Sequence, residues 1–450
     1  MPETQATDVT AQIDARPLGA LQIRTLILCG LAALLDGLDL QSIGLAAPGI
    51  IATLHVPPRS FGLVFSVALL GLMLGAFCLG PVADRFGRRR ILIGALVIIG
   101  AFTFATAYAT SFEMLLVLRF LAGIGLGGAM PCFISLGSEY APFRLRAVLV
   151  GLLWAGFPLG GVLGGILGST LIPVFGWQSL FYVGGVLPVL LAIVLVSALP
   201  ESIAFLVASG APPAQIATLL GRITGHTSPP GTRFVLAEQR APGQPLRHLF
   251  TQGRGVGTVL LWIAYFMIFL MLVTNTAWSP ILLHAGGMAV PQAAIAMATF
   301  NAGSVIGTCL VGLLITRVNA YHALALLFVA SALSFALIGQ AAPAFLRSAA
   351  LEGLTGLFLG AGSSGLIAMT AIFYPTAMRS TGVGWAMGMG RFGSFTGPLL
   401  VGLMVGAGWD IATTYGAVGA PALVAAVCTA MLGWRHARIV AARATPMQTG

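Results

Sequence analysis

Long apolar stretches, separated by short polar segments, recur along the whole 450-residue chain. A hydrocarbon core of ~30 Å needs about 20 residues of helix at 1.5 Å each, so an apolar stretch of 18 or more predicts a membrane-spanning helix. About twelve stretches qualify, and the pattern predicts an all-α membrane protein. The predicted spans lie near 24–47, 60–83, 90–110, 113–137, 147–172, 177–199, 257–283, 292–315, 321–342, 346–371, 380–405 and 413–434.

The one long polar segment, 200–256, is rich in Pro, Gly and Arg and divides the spans six and six. We therefore predict a half over 1–199, a cytoplasmic linker over 200–256 and a half over 257–450. The halves repeat at an offset of 233 residues, which takes Arg146 to Arg379 and matches several glycines. Two parallel, pseudo-symmetric six-helix halves are typical of transporters.

Composition excludes the other protein classes. The chain is 58% hydrophobic and 8% charged, with a mean hydropathy of +0.98, whereas soluble proteins carry ~25% charged residues. The net charge of +10 comes from scattered arginines and forms no stripe for nucleic acid. The five cysteines lie in apolar runs without ligand spacing, so we expect no metal, no disulfide framework and no cofactor. Without a nucleophile triad or a phosphate-binding loop, we predict no enzyme.

Arginine placement predicts the orientation, because loops on the cytoplasmic side hold the basic excess. With the N-terminus inside, eighteen arginines fall in inside segments, and only Arg59 and Arg347 fall in outside loops. We therefore predict a multi-pass protein of the inner (plasma) membrane, embedded in lipid as a monomer, with both termini cytoplasmic.

The segment GPVADRFGRRR lies between the second and third predicted spans. A tight turn there needs Gly87, and the positive-inside rule explains Arg85 and Arg88 but leaves Asp84 unexplained. The run, from Gly80 on, resembles the signature loop of the major facilitator superfamily. That resemblance implies that the loop residues form a cytoplasmic gate, with Asp84 latching the two halves together.

Asp36 and Asp39, in LLDGLDLQ, lie ~18 Å past Arg24 along the first predicted helix, on one face of it. A charge at that depth costs ~2.5–3.5 kcal/mol even on insertion scales, so such groups are functional candidates. Two carboxylates this close do not both ionise readily, which favours proton uptake and release by the pair. The alternative is a structural aspartate satisfied by a neighbouring helix.

Arg119 and Arg391 are the opposite charges within predicted spans, Arg391 ~18 Å from the cytoplasmic Arg379. Each needs a counter-charge, which is either an aspartate or a substrate anion, and the guanidinium fork suits a carboxylate better than a neutral sugar. Asn275 and Trp278 in the seventh span are candidate substrate contacts, with packing or lipid exposure as the alternative.

Glu352 stands at the repeat offset from Arg119, at a similar predicted depth. The two side chains could face each other across a central cavity. We therefore include an Arg119–Glu352 charge pair as a hypothesis.

Four features together resemble the aromatic acid:proton symporter family: the DGLD run at 36–39, the loop around Asp84, Arg391 in GRFGSFTGP, and LPES at 199–202. Its members take up benzoate-like, hydroxybenzoate-like and phenylpropionate-like anions with protons, and the first-helix aspartates are required. The resemblance implies alternating access by rocking of two halves, with Arg391 and Arg119 binding the carboxylate and the aspartates taking the proton.

Three alternatives remain open at this point. A proton-driven exporter of the same superfamily would share every feature and run in reverse. A carrier of another organic anion or of a neutral solute is the second alternative, and a neutral-solute carrier would depend less on Arg391. A non-transporting sensor would bind ligand without proton-coupled flux, although residues 200–256 offer little room for a signalling domain.

Overall fold

The computed structural model of the chain describes residues 6–225, 229, 232–235, 246–251, 254–374 and 378–444. Within them the helices of the first part of the chain are α1 (Val9–Asp14), α2 (Ala20–Leu54), α3 (Phe61–Phe86), α4 (Arg88–Thr106), α5 (Phe112–Tyr140), α6 (Phe143–Phe175), α7 (Gln178–Ala198), α8 (Ile203–Ala208) and α9 (Pro213–Thr224). The remaining helices are α10 (Gly255–Ala285), α11 (Val290–Arg317), α12 (Ala320–Ala341), α13 (Phe345–Phe373), α14 (Arg379–Gly406) and α15 (Ile411–Ala444).

Short non-helical pieces complete the described part. The strands β1 (Ala6–Asp8) and β2 (Arg233–Val235) pair in parallel, and 3-10 turns occupy Pro58–Ser60 and Leu246–Phe250. The linker predicted over 200–256 thus contains α8, α9, β2 and a turn among its described residues.

The predicted all-α membrane fold is confirmed. Among the described residues, eleven helices are long and apolar enough to cross a membrane, and each matches a predicted span. The span predicted over 380–405 corresponds to α14, which is long enough, but Arg391 and its many glycines make it less apolar. Several helices extend beyond their predicted spans, most of all α2, which runs from Ala20 to Leu54, and α15, which extends to Ala444.

Local sequence explains several helix ends. Ser111 accepts a hydrogen bond from the Met114 N–H at the start of α5, and Asn319 accepts one from the Tyr321 N–H at the start of α12. Between α3 and α4, Gly87 has a φ of +102°, a conformation that favours glycine. This single residue allows the chain to reverse between two long helices.

The chain divides into two compact units. The first comprises Met1–Leu54 and Val67–Ala241, and the second comprises His55–Ser66 and Pro242–Gly450. Residues 55–66 group with the second unit, where the Ser66 hydroxyl donates to the Phe395 carbonyl of α14. The halves predicted over 1–199 and 257–450 stay a prediction.

Glycines let the helices approach closely within each unit. In the first unit, a Cβ added at Gly160 of α6 would lie 2.0 Å from the Leu34 carbonyl oxygen of α2. In the second unit, a Cβ added at Gly393 of α14 would lie 2.1 Å from the Phe266 carbonyl oxygen of α10. These glycines are related by the 233-residue offset, so both units use the same backbone-to-backbone packing.

Candidate functional site

A buried ion pair joins α2 and α5 in the first unit. Arg119 Nη1 lies 3.5 Å from Asp39 Oδ1, and the two side chains are each 2% exposed. Thr103 on α4 donates a hydrogen bond to the Asp39 carboxylate, while Arg119 Nη2 donates to Thr103 at 3.1 Å and to Thr106 at 2.9 Å. The Phe181 ring of α7 lies 5.3 Å from the guanidinium carbon. Four helices of the first unit therefore enclose one charge pair.

Each of the two threonine hydroxyls both donates and accepts a hydrogen bond. Thr103 donates to Asp39 and accepts from Arg119. Thr106 donates to the Phe102 carbonyl at 2.8 Å and also accepts from Arg119. The guanidinium of Arg119 therefore has two hydroxyl acceptors in addition to the Asp39 carboxylate.

Asp36 lies one helical turn before Asp39 and is also buried in the first unit. Between the two aspartates, a Cβ added at Gly37 would lie 2.0 Å from the Phe157 carbonyl oxygen of α6. The glycine of the DGLD run is therefore required for the contact of α2 with α6, which fixes the rotation of α2 and directs its carboxylates.

The second unit contains a buried carboxyl at the equivalent place. Glu352 of α13 is completely buried. Asn275 Nδ2 donates to Glu352 Oε2 at 2.9 Å, and the Ser279 hydroxyl donates to Oε1. Ser279 Oγ also lies 2.7 Å from the Tyr415 hydroxyl of α15. Glu352 is thus held by an amide and by a chain of two hydroxyls.

Trp278 and Arg391 occupy different surroundings in the second unit. Trp278 is completely buried, donates its indole N–H to the Pro398 carbonyl at 3.0 Å and packs edge-on against Phe65. Arg391 is half-buried on α14, next to Gly390, which packs against a side chain of α10. The predicted substrate contacts of Asn275, Trp278 and Arg391 stay predictions.

An ion network surrounds the turn between α3 and α4 in the first unit. Arg88 contacts Asp84 at 3.3 Å, forms an ion pair with Glu139 at the end of α5, and reaches Ser202 at 3.4 Å. Its side chain is 9% exposed, whereas that of Asp84 is 56% exposed. Arg88 is therefore the centre of this network and Asp84 its outer member.

The residues that follow α7 complete the same network. Glu201 accepts hydrogen bonds from the backbone N–H groups of Arg89 at 3.0 Å and of Ser202 at 2.9 Å. The Tyr140 hydroxyl donates to the Glu201 carbonyl at 2.7 Å. Arg85 lies over the adjacent Phe86 ring. The LPES run thus ties the end of α7 to the ends of α3, α4 and α5.

Sequence reasoning did not foresee the hydroxyl partners. Thr103 and Thr106 stand three residues apart in an apolar helix, a spacing that places both on one face and could have indicated them. Ser279 and Tyr415 carry no comparable signal. The predicted Arg119–Glu352 pair joins residues of different units and stays a prediction, while each of the two has hydrogen-bond partners within its own unit.

Among the described residues, no group of three or more His, Cys, Asp or Glu side chains could hold a metal ion. The side chains that meet at these sites are carboxylates, arginines, an amide and hydroxyls.

Comparison with known proteins finds related transporters. The 4-hydroxybenzoate transporter PcaK of Pseudomonas putida is 37% identical over 425 residues, which cover 94% of this chain and 95% of that protein. A gallate transporter of Pseudomonas putida is 36% identical, over 98% of this chain and 97% of that protein. The inward-open structure of the xylose transporter XylE from E. coli superposes with a TM-score of 0.72 at 19% identity, over 91% of this chain and 95% of that chain, a likeness of fold.

The sequence pattern of the Major Facilitator Superfamily matches residues 29–289, more than half of the chain. The resemblance found in the loop and helix motifs is thereby confirmed. The chain belongs to the Major Facilitator Superfamily and is a transporter rather than an enzyme.

Proposed function

We propose that this protein takes up a small hydroxylated aromatic carboxylate together with a proton across the inner membrane. The single observation that carries the proposal is the buried pair of Asp39 and Arg119. The substrate class is supported by the names of the relatives, since 4-hydroxybenzoate and gallate are both hydroxylated benzoates.

The pair couples proton binding to anion binding. A buried arginine needs one negative partner, because an uncompensated buried charge costs several kcal/mol. When Asp39 is ionised it fills that role, and a substrate carboxylate has no advantage there. When Asp39 binds a proton, Arg119 keeps its threonine partners and becomes available to a substrate carboxylate. Each ligand therefore favours the binding of the other, which is the thermodynamic condition for symport.

Other residues contribute to the same binding event. Asp36, one turn from Asp39, shares the proton-binding face of α2. Arg391 supplies a second guanidinium for the carboxylate, and Asn275 and Trp278 provide an amide and an aromatic face for the ring and its hydroxyl groups. In this proposal Arg119 becomes available to the substrate when Asp39 binds a proton, and Arg391 increases the affinity for the substrate carboxylate.

Transport proceeds by alternating access of two six-helix halves. The loop with Asp84, Arg85, Gly87 and Arg88 gates the cytoplasmic side, and both termini are cytoplasmic, in agreement with the excess of arginines in the inside segments. With one proton per monovalent anion the cycle moves no net charge. A pH difference of one unit then supports ~10-fold accumulation.

The test is uptake of labelled 4-hydroxybenzoate by transport-deficient cells that produce the protein, with and without a protonophore. We expect uptake to be concentrative in the wild type and to collapse to equilibration with the protonophore. Asp39→Asn should lower accumulation well below the wild-type level while retaining exchange of labelled for unlabelled substrate, because exchange requires no net proton transfer. Glu113→Gln, which changes an exposed carboxyl on α5, is the matched control and should behave as the wild type.

Three outcomes would contradict the proposal. Accumulation by Asp39→Asn at the wild-type level would show that the Asp39–Arg119 pair does not carry the coupled proton. Loss of preloaded label driven by the proton gradient would identify an exporter. Equal uptake of a neutral sugar would exclude a carboxylate carrier.

A further inference from the structure

Glu352 is a buried carboxyl that the proposed coupling at Asp39 does not use. Its side chain is completely buried on α13, and an ionised carboxylate in such a place needs either a cation or a proton. Its two oxygens accept hydrogen bonds from Asn275 and Ser279, which are both neutral side chains. The hydrogen bonds satisfy its geometry without supplying a counter-charge.

The hydrogen-bond partners of Glu352 are neutral side chains, and no ion pair joins it to another of the described residues. The ionisable groups on the helices packed around α13 are Tyr265 and His284 on α10, Cys309 and Arg317 on α11, Tyr321 and His322 on α12, and Arg379 and Arg391 on α14, with Arg379 exposed at the start of α14. Tyr415 on α15, reached through Ser279, is the ionisable group that belongs to the Glu352 cluster.

Basic groups are also present on these elements. Arg391 follows Gly390, which packs against Phe269 of α10, six residues or ~9 Å along that helix from Asn275. His284 is exposed near the end of α10 and its ring bonds to the Met288 carbonyl. The side chains that hydrogen-bond to the Glu352 carboxylate among the described residues are Asn275 and Ser279, and both are neutral.

The cluster accommodates Glu352 with or without a proton while its heavy atoms stay in place. In the ionised form, Tyr415 donates to Ser279, Ser279 donates to Oε1, and Asn275 donates to Oε2. In the protonated form, Oε1 carries the hydrogen and donates to Ser279, which in turn donates to Tyr415. Oε2 still accepts from Asn275. A hydroxyl can reverse its direction in this way because it is both donor and acceptor.

The internal repeat gives this arrangement a counterpart. Glu352 on α13 is equivalent to Arg119 on α5 at the 233-residue offset. In the first unit the cation at this position neutralises Asp39. In the second unit the position holds an acid whose described partners are neutral, so a proton is the ligand that neutralises it.

We propose that Glu352, with Asn275, Ser279 and Tyr415, is a second proton-binding site and that each aromatic anion enters with two protons. This inference rests on the proposed symport. One proton is carried at Asp39 and one at Glu352, so a monovalent anion and two protons move one net positive charge inward. The membrane potential then drives uptake in addition to the pH difference.

The test uses the purified full-length protein in liposomes, with labelled 4-hydroxybenzoate and either a pH difference alone or a valinomycin–potassium potential alone. For the wild type we expect ~100-fold accumulation at one pH unit and ~50-fold at 100 mV, interior negative. For Glu352→Gln, which mimics the protonated acid, we expect ~10-fold accumulation at one pH unit and no response to the potential. Glu113→Gln should match the wild type in both arms.

The outcomes separate the two proposals. Uptake that follows the pH difference but not the potential in the wild type overturns the second proton site and leaves the proposed symport intact. Absence of pH-driven uptake overturns the symport itself. A potential response retained by Glu352→Gln overturns the assignment to Glu352. If that variant does not fold, Glu352→Met replaces it, and an unchanged potential response there also overturns the assignment.

Discussion

The Asp39–Arg119 pair can be tested as a structural unit, independently of transport, by neutralising its members singly and together. Asp39→Asn leaves a buried guanidinium without its anion, and Arg119→Gln leaves a buried carboxylate without its cation. Truncating one partner of a buried pair typically costs ~3–5 kcal/mol, because the remaining charge is uncompensated. The double variant has no charge left to compensate.

The separation of the atoms gives a magnitude for the coupling. At the 3.5 Å that joins Arg119 Nη1 and Asp39 Oδ1, two unit charges attract by about 5 kcal/mol at an effective dielectric constant of 20. The loss of unfolding free energy in the double variant should therefore be smaller, by several kcal/mol, than the sum of the losses in the two single variants. Part of the gain is offset because the two introduced amides, being neutral, hydrogen-bond less strongly to Thr103 than the charged groups do.

The assay is thermal unfolding of the purified variants in one detergent at one pH, followed by the loss of monodisperse protein. We expect both single variants to melt well below the wild type and the double variant to recover most of the difference. The exposed Glu113→Gln is the control for loss of a carboxyl and should leave the melting temperature unchanged. Strictly additive losses in the double variant would refute the reasoning, because additivity means that the two side chains do not interact.

Three further predictions concern the scaffold. Gly37→Ala should sharply lower the yield of folded protein, because the added methyl meets backbone 2.0 Å away, whereas Gly30→Ala in the same helix, whose nearest atom is 3.8 Å away, should be tolerated. Arg88→Ala should lower the melting temperature more than Asp84→Ala, because exposed ion pairs contribute only ~0–1 kcal/mol. The Thr413 hydroxyl and backbone N–H lower the pKa of Asp410 at the start of α15, outside the spanning segments. Its stabilising effect is present above the unfolded pKa of ~3.9 and is lost as the pH falls through the folded pKa, so the melting temperatures of Asp410→Ala and wild type should converge at acid pH.

The fold could be predicted from the sequence because it depends mainly on the hydropathy of each stretch of about 20 residues, which is a local property of the chain. An apolar stretch long enough to cross a bilayer has to be helical, since only a helix satisfies its backbone hydrogen bonds within one segment. The same reasoning predicts the ends of the helices less well. Hydropathy reports where a helix leaves the apolar region, so it stopped α15 near residue 434, whereas the helix continues to Ala444.

The site was accessible only in part. The depth of Asp39 in α2 and of Arg119 in α5 follows from counting residues along each helix separately. That count was sufficient to identify both as candidates. Which charge faces which partner depends on the rotation of each helix, and that rotation is set by contacts such as Gly37 against Phe157, which a single sequence does not reveal. The sequence therefore left Asp39 and Glu352 as alternative partners for Arg119, and packing within the first unit brings Asp39 to it.

The repeat explains why a common scaffold can carry different chemistry in its two units. Gly160 and Gly393 have equivalent roles because a side chain at either position would collide with the backbone of its neighbouring helix. Arg119 and Glu352 are also equivalent in position, but each contacts side chains and not backbone, and a change there is accommodated by changing the partners. The partners differ accordingly, a carboxylate and threonines in one unit and an amide and hydroxyls in the other. Packing thus restricts the residues at the helix crossings, while the charge at the equivalent buried position is free to differ between the two units.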